Sequence, residues 1–71
     1  MTRFGDFLDK KSINKAEVSR RTGISPSRLS ELTNNESTKL RAKELYLISL
    51  AIDVNPCDVL NEIYNHLTLT S

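Results

Sequence analysis

Apolar residues recur at three- and four-residue intervals along the chain, and no stretch alternates apolar and polar positions as a strand would. Phe4, Phe7 and Leu8 begin the pattern after Thr2, a suitable N-cap, and predict a first helix over about residues 3–11. Gly5 inside it costs about 1 kcal/mol of helix propensity and is a candidate for close approach by another helix. Three further helix starts share one grammar: an apolar residue, a capping side chain, then the helix. Ile13-Asn14-Lys15 has Glu17 three residues after the cap, and Ile24-Ser25-Pro26 has proline at the first helical position, where its missing N–H costs nothing. Val54-Asn55-Pro56 repeats the pattern with Asp58 in the first turn, where the helix dipole favours a negative charge. Helices therefore start at Lys15, Pro26 and Pro56. A fourth helix is less cleanly marked. Leu40 and Leu45 have staple spacing and Glu44 follows Arg41 by three, which predicts a helix over about 42–52, although arginine is a poor cap.

This reading yields an all-α fold, a compact bundle of five helices. Its expected core comprises Phe4, Phe7 and Leu8 from the first helix and Val18, Ile24, Leu29 and Leu32 from the next two. Leu45, Ile48, Ile52, Val59, Leu60 and Ile63 complete it. Between the third and fourth helices, residues 34–39 are polar throughout, and Asn35 is expected to end the third helix in the left-handed conformation that asparagine tolerates.

Within this order the stretch Val18–Leu32 stands out. A helix ends, Gly23 supplies a corner where φ > 0 is needed, and Ser25-Pro26 starts a second short helix. Leu29 and Leu32 share one face of that helix, while Ser27, Arg28, Glu31 and Asn34 point elsewhere. Two short helices around a glycine corner, the second with a polar outer face, have the layout of a helix-turn-helix at about residues 15–34.

Composition narrows the function. With 71 residues there is room for one domain, read here as spanning residues 1–71, and too little for a sizeable catalytic cavity. No Ser/His/Asp grouping, metal-ligand spacing or glycine-rich phosphate loop is present, so no enzyme, cofactor or metal is expected. His66 has no companion ligands, and Cys57 stands alone, which fits a reducing cytoplasm. No apolar run is long enough to span a membrane, and the N-terminal residues lack a signal-peptide core.

The net charge of +1 is uninformative until its distribution is considered. Residues 10–43 carry nine of the ten Lys and Arg residues and a balance of +6, whereas residues 44–71 contain neither and carry −4. A basic block centred on the glycine corner is the footprint of a phosphate-neutralising surface, with solvated helix faces as the bland alternative.

Residues 13–35 resemble the helix-turn-helix of the lambda-repressor and Cro type, also called the xenobiotic-response-element family. Asn14, Val18, the small Ser19, Gly23, Ile24-Ser25 and the pair Leu29 and Leu32 carry the likeness. Leu45, Ile48, Ile52, Val54 and Leu60 extend it through the last helices. The resemblance implies a small cytoplasmic transcriptional regulator, typically a repressor, with the recognition helix at about 26–34 in the major groove of double-stranded DNA. Departures from the family pattern include Ser19 for alanine, Lys15 for glutamine, and Pro26 where a base-reading glutamine often stands. Proline cannot hydrogen-bond a base edge, so readout is expected from Ser27, Arg28 and Glu31. For Arg28 a phosphate contact is the competing role, and for Glu31 an ion pair with Arg28. Lys15, Arg20, Asn34, Lys39 and Arg41 are expected at phosphates.

Helices four and five carry more apolar surface than a one-sided core needs. Tyr46, Leu47, Leu50, Tyr64 and Leu67 are expected to form a homodimer interface that sets two recognition helices on a pseudo-palindromic operator. The alternative is a protein-interaction module, such as an antitoxin, with a partner protein on that surface.

Overall fold

The computed structural model describes residues 1–70; Ser71, which the single-domain reading includes, lies outside them. Five helices follow one another: α1 (Arg3–Lys10), α2 (Lys15–Thr22), α3 (Pro26–Asn34), α4 (Ala42–Ala51) and α5 (Pro56–Tyr64), with no strand among the described residues. The three starts marked by cap and staple are where the sequence predicts them. Asn14 accepts from the Glu17 N–H, Ser25 from that of Arg28 and Asn55 from that of Cys57. Each residue preceding a cap (Ile13, Ile24, Leu40 and Val54) is half-buried against the core, so the staples tie every interhelical corner to the interior. At α4 the cap works in one direction only. Arginine has no acceptor, and the helix start is closed by the Glu44 carboxylate, whose Oε1 receives the Arg41 N–H at 3.0 Å.

The corners before α2 and α5 are alike. After α1 the Ile13 N–H reaches Leu8 O and the Ser12 N–H reaches Asp9 O; after α4, Val54 reaches Ser49 O and Asp53 reaches Leu50 O. Both are Schellman endings, and the left-handed position is filled by Ser12 (φ 56°) and Asp53 (φ 60°) rather than glycine. Asn35, by contrast, is extended (φ −113°, ψ 110°). Its expected left-handed ending is corrected, because α3 runs out into a segment that continues towards α4 instead of folding back.

α1 packs on α3 and α5, α2 on α3 and α4, and α4 on α5. Leu8, Leu29, Ile48 and Val59, one from each of four helices, are essentially inaccessible and form the centre. Leu60, expected in the core, is 47% exposed. Val59 and Ile63 already fill the edge that α5 turns inward, and Leu60, about 100° around the helix from Val59, faces out. Ile24 and Ile52 sit half-buried at the core margin. The buried hydroxyls of Thr33 and Ser49 donate to the carbonyls of Ser30 and Leu45 in their own helices, which spares the interior an unpaired polar group.

The tightest packing is between α1 and the end of α3. The Thr2 N–H donates to Thr33 O at 2.9 Å, and the Thr2 hydroxyl donates to Leu32 O while accepting from the Gly5 N–H. A Cβ on Gly5 would lie 2.2 Å from Thr33 O, so the approach expected at this glycine is a backbone-to-backbone contact. Gly23 is different: its φ is 78° and nothing lies within 4 Å of a Cβ built there. Gly5→Ala is therefore expected to destabilise the fold by about 1–3 kcal/mol through overpacking. Gly23→Ala should cost about 1 kcal/mol through its backbone conformation alone. Urea unfolding of the two variants checks both, and Gly5→Ala melting with the wild type would exclude the close approach.

Candidate nucleic-acid interface

The corner between α2 and α3 is held by one backbone hydrogen bond and two short side chains. The Gly23 N–H closes the last turn of α2 on Ser19 O at 3.0 Å. The Ser19 hydroxyl donates to Ile24 O at 2.6 Å, and the Thr22 hydroxyl donates to Val18 O while accepting from the Ile24 N–H at 3.1 Å. Serine at position 19 thus does more than leave room for the second helix, because its hydroxyl satisfies the carbonyl at the corner. From there α3 leaves with Leu29, Leu32 and Thr33 buried and with Ser27, Ser30, Glu31 and Asn34 exposed on the other side. Asn34 Nδ2 lies 3.3 Å from Ser30 Oγ. A shallow concavity of about 390 Å³ separates this row from the start of α2 and is lined by Lys15, Ala16, Pro26, Leu29, Ser30, Thr33 and Asn34.

Of the three residues expected to read bases, Ser27 and Glu31 lie on the exposed row and Arg28 does not join them. Arg28 Nε and Nη2 form a two-pronged ion pair with Glu44 at 2.7 and 2.9 Å, and Nη2 also donates to Lys39 O at 2.9 Å. In the free protein the guanidinium edge that would meet a guanine is therefore occupied by a carboxylate. The competing explanation for Glu31, an ion pair with Arg28, is not realised either. Asn34, expected at a phosphate, falls within the exposed row. Ser30 was missed, although Pro26, Ser30 and Asn34 at i, i+4 and i+8 mark one stripe of the helix in the sequence itself.

The basic block also separates once its partners are visible. Lys15 meets Asp9 at 3.3 Å, Arg20 is paired with Glu17 one turn away, and Lys10 approaches Glu62 at 3.8 Å. Lys11 lies over the Phe7 ring, and Arg21 donates to Ala51 O at the end of α4. Arg3 likewise donates to Ile63 O and Asn65 Oδ1 at the end of α5. Lys39, Arg41 and Lys43 are exposed and carry no ion pair among the described residues. Three exposed cations without ion pairs thus cluster on the segment into α4 and its first turn, whereas at the glycine corner Arg21, which also has no ion pair among the described residues, is engaged with a carbonyl. The apolar residues expected at an interface divide as well: Tyr46, Leu50, Tyr64 and Leu67 are exposed, whereas Leu47 is half-buried.

Among the described residues Glu44 is the one nearly buried acid. The hydrogen-bonded Arg28 guanidinium holds its carboxyl below the usual glutamate range against the opposing effect of desolvation, and the Arg41 N–H assists. A carboxyl with a depressed folded pKa stabilises fully above its unfolded value, about 4.3, and loses that contribution as pH falls through the folded one. Glu44→Gln should therefore be less stable than wild type at neutral pH, with the gap closing below about pH 4. Urea midpoints across that range test it, and a gap independent of pH would show that the carboxylate is not the source.

A family model described as a Cro/C1-type HTH DNA-binding domain matches residues 3–63, which takes in all of α1, the corner and α3, and α5 as far as Ile63. No curated protein and no solved structure matches the chain significantly. With the match covering all but the ends, and with a helix-turn-helix whose second helix turns a polar row outward, the chain belongs to the Cro/C1-type helix-turn-helix DNA-binding family.

Proposed function

We propose that the protein is a sequence-specific regulator of transcription, a repressor acting in the cytoplasm, that inserts α3 into the major groove of double-stranded DNA. The observation that carries this reading is the row Ser27, Ser30, Glu31 and Asn34. It is short, polar and unobstructed, lies on a helix whose opposite side is fully packed, and is flanked by Lys15 and by Lys39, Arg41 and Lys43. Short side chains let a helix seat deeply in the groove. Asn34 can pair with adenine N6 and N7, Glu31 can accept from cytosine N4, and the serines serve several bases. The cations on either side would neutralise phosphates and set the register without reading sequence. Arg20, balanced by Glu17, and Lys15, balanced by Asp9, contribute less to that field than Lys39, Arg41 and Lys43.

Two copies would join through α4 and α5. Tyr46 and Leu50 stand one turn apart on the outer side of α4, and Leu60, Tyr64 and Leu67 continue an exposed apolar stripe on and beyond α5. This surface lies in the half of the chain that has no Lys or Arg, so pairing it leaves the basic residues free for DNA. Two-fold symmetry would set the recognition helices about 34 Å apart on a pseudo-palindromic site.

Selection from a random duplex pool at two salt concentrations tests the reading. Asn34→Ala should cost about 1–3 kcal/mol on the selected site and relax one base position. Lys39→Ala should weaken all sequences alike and shallow the salt slope by about one unit. No enrichment over the starting pool would overturn sequence-specific binding. For the dimer, sedimentation equilibrium should give twice the chain mass, and Leu50→Glu should return a monomer with weakened operator binding. A wild-type monomer at tens of micromolar, with a selected site lacking dyad symmetry, would refute it.

A further inference from the structure

We propose that Arg28 is a positioning residue for DNA binding. Through Glu44 it clasps the segment between α3 and α4, so that Lys39 and Arg41 meet phosphates in register with the exposed row of α3. The inference rests on the reading of α3 as the recognition helix.

One carboxylate joins three parts of the molecule. Glu44 Oε2 accepts from Arg28 Nε; Oε1 accepts from Arg28 Nη2 and from the Arg41 N–H that begins α4. The same Nη2 donates to Lys39 O, so Arg28 grips the segment by its backbone as well as by the helix that follows. Within the segment, the bonds from the Ser37 N–H and hydroxyl to Asn35 Oδ1 and from the Thr38 N–H to Asn35 O are local and shape only its first turn. Among the described residues, the side-chain hydrogen bonds that tie residues 36–41 to the helices are Arg28 to Lys39 O and the Arg41 N–H to Glu44, with Leu40 adding half-buried packing. Glu44 is almost inaccessible and is an acceptor, so it cannot contact a phosphate usefully itself. Pairing also masks its negative charge near Lys39, Arg41 and Lys43, which carry no ion pair among the described residues. A guanidinium released to read guanine would have to give up the carboxylate and leave it unpaired in a nearly buried position, which is strongly disfavoured.

The test uses the full chain, the selected duplex and its single-base variants, with binding followed by anisotropy across a salt series. Amide exchange of residues 36–41 is measured on the free protein. Arg28→Met and Glu44→Gln are each expected to weaken binding to every duplex by one common factor, about ten-fold, and to shallow the salt slope by about two units as both phosphate contacts loosen. Both should speed exchange in residues 36–41, and the double variant should be no weaker than either single one. Arg28→Lys, which keeps the charge and loses the fork, should recover part of the affinity. Arg28→Met that relaxes one base position at the wild-type salt slope would overturn the proposal. So would Glu44→Gln that binds more tightly than wild type, because a freed arginine would then be the DNA contact. If Arg28→Met does not fold, the isosteric Glu44→Gln carries the same readouts. A wild-type chain without a preferred duplex would defeat readout by α3 but not the clasp, which the salt slope on any duplex and the exchange of residues 36–41 still decide.

Discussion

The first turn of α1 lies across the last turn of α3 at backbone distance, and most of the geometry follows from that crossing. Thr2 binds two successive carbonyls there, those of Leu32 and Thr33, through its hydroxyl and its N–H. Those carbonyls belong to the end of a helix, where no later N–H reaches them, so the contact also solves the C-terminal problem of α3. Because Gly5 has no side chain, α1 can sit low enough for Phe4, Phe7 and Leu8 to reach the interior that α3 fills with Leu29 and Leu32. One side of α3 is therefore fully committed to the core, and the other is left clear.

What remains is to hold a nine-residue helix still while its outer side is bare. Its start is set by the Gly23 corner, with the hydroxyls of Ser19, Thr22 and Ser25 bonded to backbone groups. Its end is set by Thr2. Its flank is set by the Arg28–Glu44 pair, which is partly sheltered and two-pronged and so worth more than the exposed pairs of Lys10 and Lys15. Three independent restraints on a short element suit a binding surface, because rigid positioning reduces what must be ordered when a ligand arrives.

The cations divide by the same logic. Arg3 and Arg21 donate to the last carbonyls of α5 and α4, where positive charge also complements the helix dipole. Arg28, on α3 itself, is committed to Glu44 and the Lys39 carbonyl. Lys39, Arg41 and Lys43 are long and exposed and carry no ion pair among the described residues. A count of basic residues treats these as equal, whereas their partners separate structural charge from available charge.

Helix starts and the inward face of α3 were legible in the sequence, because the chemistry that sets them acts within a few residues. The starts at Lys15, Pro26 and Pro56, the corner at Gly23 and the inward pair Leu29 and Leu32 all follow from capping, proline geometry and helical spacing, which involve neighbours along the chain. The exposed side of α3 was legible for the same reason, apart from Ser30, which was left out of it, and Arg28, which was counted in. Tertiary structure decided what depends on residues distant in the chain. Leu60 faces out because Val59 and Ile63 already fill the edge of α5 that packs inward. Asn35 is extended and the left-handed corners fall at Ser12 and Asp53, since the direction of the next helix dictates how each one ends. Arg28 turns from the expected DNA face to Glu44, sixteen residues away, because a nearly buried carboxylate offers a fixed partner that periodicity along one helix cannot reveal.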